Sequence, residues 1–200
     1  MSEPIESPEP NPQPEQQSQH MSARVPQHVG SGSFSTGAIV MTGPNEFIVD
    51  FVQAMGGAPL VASRVVMPHA ALPKFVDALQ RNLELYTQKF GSPPEMPQSS
   101  ADGQPRSPQE LYDELKLPDE LLSGAYSNGV MITHTAAEFR FDFLTNMFPT
   151  SAVSARVFLS APQVTRLLQS LQQTWRQFQD RLRPQQTDDS EGLPDPPPGE

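Results

Sequence analysis

The chain repeats itself at an offset of 92 residues without a gap. Gly37, Glu46-Phe47, Asp50-Phe51, Met55, Val61 and Arg64-Val65 recur as Gly129, Glu138-Phe139, Asp142-Phe143, Met147, Val153 and Arg156-Val157. A segment present twice is expected to build the same supersecondary unit twice, so any reading of one copy must also hold for the other.

The apolar pattern passes that test. Leu72, Phe75, Val76, Leu79, Leu83, Tyr86 and Phe90 fall on Val164, Leu167, Leu168, Leu171, Trp175, Phe178 and Leu182. Steps of three and four residues put each set on one face of a helix, with Lys74, Arg81 and Glu84, or Arg166 and Arg176, turned outward. Ser160 followed by Pro162 reads as a helix start, and Pro68 and Pro73 bracket the start in the first copy. Ahead of each helix lie three runs rich in β-formers, at 37–42, 46–52 and 60–67 and again at 129–134, 138–144 and 152–159. Phe47, Val49 and Phe51, matched by Phe139, Phe141 and Phe143, alternate with other residues, so one sheet face is aromatic and is expected to meet the helix. The fold class that follows is α+β: two tandem β-β-β-α units, each an antiparallel three-stranded meander under one long amphipathic helix. A unit of this size has a thin core, so the two are expected to pack as a pseudo-dimer.

Composition sets the boundaries. The 23 prolines and 36% hydrophobic content mean that part of the chain stays outside any core. Residues 1–33 carry −3 and residues 184–200 carry −5 of the net −10, leaving about −2 for the body. The expected layout is a disordered tail at 1–33, a first unit at 34–91, a linker at 92–123, a second unit at 124–183 and an acidic tail at 184–200. Within the linker, Ser107-Pro108-Gln109-Glu110 reads as a capping box, and Leu117-Pro118-Asp119-Glu120-Leu121 as a further turn.

A near-neutral body with scattered arginines lacks the basic stripe that nucleic acid requires. No apolar run approaches the roughly 18 residues that span a bilayer. Without cysteine there are no disulfides, thiolate metal sites or cysteine nucleophiles. The expected compartment is the cytoplasm, with no membrane or nucleic-acid partner.

The second copy, read through Leu117-Pro-Asp-Glu-Leu, Tyr126-Ser-Asn-Gly-Val-Met-Ile-Thr-His134, Glu138-Phe139, Asp142-Phe143, Pro149 and Arg156-Val157, resembles DUF3467, a bacterial family of small proteins of unknown function. The first copy resembles a diverged sister domain, with Thr42 in place of His134. The resemblance implies a fused pair of units and no activity or cofactor.

Asp50 with Arg64, and Asp142 with Arg156, are charged pairs shared by both copies on the face opposite the aromatics. They read as cross-strand salt bridges that orient the hairpin, with protein binding as the alternative. Ile48, Val52, Val66, Leu144 and Phe158 put apolar side chains on that same face, where the other copy or a partner segment is expected to cover them. His134, Glu138 and Asp142 recur every four residues. A turn separates the histidine from the other two and Thr42 replaces it in the first copy, so no metal, cofactor or catalytic role is expected. The function expected from the sequence is a non-enzymatic adaptor for an unknown protein partner. The alternative is a holdase-like chaperone or assembly factor, and further homo-oligomerisation is open.

Overall fold

In a computed structural model of the chain, residues 23–96, 112–147 and 149–183 are described. The expected tails at 1–22 and 184–200 and the capping box at 107–110 lie outside the described residues.

The first half runs through a short helix α1 (Gln27–Gly30), β1 (Ser33–Ser35), β2 (Gly37–Thr42), β3 (Glu46–Gln53), β4 (Leu60–Pro68) and α2 (Leu72–Phe90). The second half has a 3-10 turn (Asp119–Leu121), β5 (Ala125–Tyr126), β6 (Gly129–His134), β7 (Glu138–Met147), β8 (Thr150–Ser160) and α3 (Ala161–Leu182). The strands and long helices stand where alternation and the 3-4 stripe place them. Ser160 is at the N-cap of α3, but its side chain makes no capping bond.

The fold is α+β with two four-stranded sheets, of order β2-β3-β4-β5 and β1-β8-β7-β6. Three strands of each form the expected antiparallel meander. The fourth corrects the three-stranded expectation, because it comes from the other half and runs parallel to its neighbour: β5 lies beside β4 and β1 beside β8. Residues 23–33, expected in the tail, therefore include α1 and the start of β1. With only two or three paired residues each, these strands have no alternation to betray them in the sequence.

The helices also cross over. Phe75 of α2 meets Phe141 and Phe143 of β7 edge-on at 6.0 and 5.5 Å, and Tyr86 packs on Phe139 at 5.2 Å. In the reverse direction, Trp175 and Phe178 of α3 meet Phe47 of β3 at 6.2 and 5.2 Å. The aromatic face does meet a helix, but in these contacts it is the other half's helix. Phe51 and Phe143 join the two inner faces at 5.5 Å, giving one core that neither half contains alone. Each fully buried Phe in it contributes about 1.5–3 kcal/mol over its exposed state. Among the described residues no helix is long and apolar enough to cross a membrane.

Each meander carries a β-bulge at the same place. Phe51 pairs with Ser63 and Val52 with Val61, so Ala62 is extra; Phe143 pairs with Ala155 and Leu144 with Val153, so Ser154 is extra. Leu144, expected on the outer face, is 2% exposed and pairs with buried Val153 next to the bulge. Ile48, Val52, Val66 and Phe158 remain half-buried.

The arms that exchange turn at Gly32 and Gly124, with φ of 67° and 66°. A Cβ on Gly124 would stand 2.7 Å from Val66 and 2.8 Å from Arg64; on Gly32 it would stand 2.6 Å from Phe158 and 2.7 Å from Arg156. Gly124→Ala is thus expected to lower stability by about 1–2 kcal/mol from the left-handed backbone alone, and further through the contact with Val66. Gly57→Ala, with nothing within 4 Å, should leave it nearly unchanged. Urea unfolding followed by circular dichroism measures both.

Candidate functional site

The arms are held first by backbone. Arg24 bonds to the bulged part of β8, its N–H to Ser151 O at 2.9 Å and its carbonyl to Val153 N–H at 2.8 Å. Lys116, which is Arg24 shifted by the repeat, bonds to Pro59 O at 3.0 Å and to Val61 N–H at 2.9 Å. Farther along, β1 and β5 lie parallel to the centres of β8 and β4.

The Asp–Arg pairs lock this docking. Arg64 donates Nε and Nη2 to the two oxygens of Asp50 at 2.8 and 2.7 Å, and Nη1 to the carbonyl of Leu122 in the other half's arm at 3.3 Å. Arg156 repeats this on Asp142 at 2.6 and 2.9 Å and on Gly30 O at 3.0 Å. The structure brings together all four sequence-nominated charged residues in two equivalent latches. They are not surface salt bridges: Asp50 is 0% and Asp142 3% exposed. The hydrogen bond to the carboxylate raises the pKa of each arginine, partly offset by burial.

A second pair of side chains, which sequence reasoning missed, seats the arms. Buried Ser35 Oγ donates toward Gly37 O and Val52 O at 2.6 and 2.9 Å, and Ser127 Oγ toward Gly129 O and Leu144 O at 2.8 and 3.1 Å. The signal was present, since Gly32-Ser33-Phe34-Ser35 and Gly124-Ala125-Tyr126-Ser127 lie in the same repeat register.

Among the described residues, the two latches differ in their neighbours. The Tyr112 hydroxyl donates to Asp50, and burial together with that bond raises its pKa. Asp142 instead has Arg140 Nε at 3.5 Å. Between the arms lies a cleft of about 320 Å³ lined by Arg64, Arg156, Ser33, Ser63, Ser154 and Gly124. Each guanidinium there is already matched by a carboxylate, so the cleft carries little unpaired positive charge.

The triad His134, Glu138 and Asp142 is not assembled. His134 pairs with Phe139 and contacts the rings of Tyr86, Phe90 and Phe139, whereas Asp142 belongs to the latch. Among the described residues no group of three His, Asp or Glu is placed to hold a metal ion. Burial first, and Lys89 second, lower the pKa of His134.

A different cavity, of about 290 Å³, opens between the start of α2 and the start of β6. Met67, Phe75, Val130, Phe143 and Leu144 form its apolar walls, and Lys74, Ser127, Asn128 and Asn146 are its polar members. Asn128 is fixed by exchanging bonds with the backbone of Asn146, donating at 3.1 Å and accepting at 2.8 Å. The Asn146 amide nitrogen would lie 2.6 Å from a Cβ on Gly129, so glycine there leaves it room. Among the described residues β6 ends its sheet, with β7 as its one strand neighbour.

The family described as "Protein of unknown function (DUF3467)" matches the chain twice, over residues 3–93 and 94–184. The two matches divide the chain as the internal repeat does. No curated protein matches the sequence.

Removing one partner of a buried ion pair strands the other. Arg64→Ala is therefore expected to cost about 3 kcal/mol or more, whereas Arg183→Ala, in an exposed pair with Asp180, should leave the unfolding midpoint in place. His134 gives a pH signature. Because its folded pKa is lowered, the unfolded chain takes up a proton below about pH 6.5 that the folded ring resists. Stability should fall as pH drops through that value, and His134→Phe should flatten this part of the curve in unfolding titrations.

Proposed function

Because the chain belongs to the DUF3467 family, described only as of unknown function, we propose its role from geometry: it is a non-enzymatic protein-interaction module, built as a fused pseudo-dimer of two β-β-β-α units. In this reading the cavity between α2 and β6 receives an apolar side chain from an extended segment of the partner. The observation that carries it is the combination, in one place, of apolar walls, a lysine and a strand edge that has no further strand beside it among the described residues. Apolar walls supply affinity, while a few fixed polar groups set orientation. Lys74 favours an acidic residue flanking the apolar one, and the free edge of β6 offers backbone bonds at its first residues.

The repeat provides an internal control for the test. Ala78 lines the cavity on α2, and its repeat equivalent is Ser170 on α3. Ala78→Trp fills the cavity; Ser170→Trp places the same bulk on the opposite helix. Affinity capture of full-length protein from its native lysate, with quantitative mass spectrometry, is expected to give a defined stoichiometric partner. Ala78→Trp should weaken its capture at least tenfold and Ser170→Trp should not. A broad set of aggregation-prone clients, insensitive to both substitutions, would point instead to a holdase. Equal loss in both variants, with folding intact, would remove the cavity from the proposal.

A further inference from the structure

The joint between the halves is built twice over. The contacts Arg24 to Ser151 and Val153, Arg156 to Gly30, and β1 to β8 each have a counterpart at the repeat offset, in Lys116 to Pro59 and Val61, Arg64 to Leu122, and β5 to β4. The helix contacts cross in the same reciprocal way, α2 onto the second sheet and α3 onto the first. Every one of these interactions joins a first half to a second half. None requires that the two halves belong to the same polypeptide, because each is made between residues of different repeats by strand pairing, hydrogen bonds or ring contacts.

We infer that this joint is an exchangeable interface, and that the partner it fits is a second copy of this chain: the first half of one molecule pairs with the second half of another, and the reverse, in a closed reciprocal dimer. The closed dimer has the same arms, latches and core as the single chain, so no new surface has to be complementary. What separates the two states is the effective concentration that the covalent link gives one half about the other, on the order of millimolar. Dilute protein is a single-chain pair, and crowding many copies together shifts the balance toward exchange. Once formed, the dimer persists, because leaving it means pulling the buried Asp50 and Asp142 latches and the shared aromatic core apart. This inference stands apart from the cavity at α2 and β6.

Full-length chains carrying two different affinity tags, unfolded in denaturant and refolded together across a range of concentrations, test it. Capture on one tag should recover the other in an amount that rises with refolding concentration, in a species of twice the mass that survives dilution for hours. A synthetic peptide of residues 115–128, in about tenfold excess during refolding, competes for the slot beside β4 and should lower the yield of that species. The same peptide carrying Gly124→Val, which cannot make the turn next to Val66, should not. Monomer alone at every concentration would overturn the inference. So would a dimer whose yield is the same with either peptide, since its interface would then lie elsewhere.

Discussion

The structure depends on two carboxylates that have no water to fall back on. Asp50 and Asp142 sit in the middle of their strands at 0% and 3% exposure, and a buried carboxylate without a partner costs several kcal/mol. Each is answered by two donors, Nε and Nη2, on one edge of an arginine, and that arginine uses Nη1 to hold a carbonyl of the opposite arm. The arm in turn covers the pair and keeps it dry. Neither the ion pair nor the arm is stable in its place without the other, so one interaction couples strand register, arm docking and the association of the halves. This requirement also explains the glycines at the turn. The arm must pass directly over the arginine stem and the adjoining Val66 or Phe158, with no space for a side chain of its own.

The aromatic core extends the same coupling. Phe47 and Phe139 occupy equivalent sites, yet Phe47 rests under Trp175 and Phe178, whereas Phe139 rests against Tyr86 and His134. Each half supplies the lid of the other half's sheet. A unit taken alone would lose its helix cover, its fourth strand and the cap on a buried charge at the same moment, so folding of the body is expected to be cooperative across both halves. The bulges at Ala62 and Ser154 serve the same joint. Leu144, paired with Val153 beside one bulge, lines the α2 cavity at the sheet end where an arm docks.

Much of this was written plainly in the sequence. The repeat, both meanders, both long helices and the pairing of Asp50 with Arg64 and Asp142 with Arg156 follow from period and position, because each is a local or cross-strand pattern. The exchange was not legible. Alternation shows that Phe47 and Phe51 share a buried face but not whose helix buries it, since the apolar stripes of α2 and α3 are equally suited to either sheet. Arms of two or three paired residues present no period at all, and apart from Ser33 they fall at the very start of the expected units, ahead of the first expected strand. The bulge beside Leu144 was not legible either, because an extra residue on the opposite strand leaves no mark in strict alternation. The burial of the carboxylates was not legible for a related reason: the carbonyls that complete each latch, Gly30 and Leu122, lie in distant chain that composition marks as tail and linker.

Duplication also separates frame from function. Where the copies share a residue, as at Gly32 and Gly124, Ser35 and Ser127, or the two latches, the fold already accounts for it on both sides of the joint. Positions around the α2 cavity behave differently. Lys74, Ala78, Asn128 and Asn146 stand where the other copy has Arg166, Ser170, Thr36 and Ala54, although both settings face equivalent backbone. Nothing in the shared architecture requires an asparagine at 146 or a lysine at 74, because the opposite half folds with alanine and arginine there. The residues that the common frame leaves undetermined are therefore the ones free to recognise something outside it, and in this chain four of them surround one cavity.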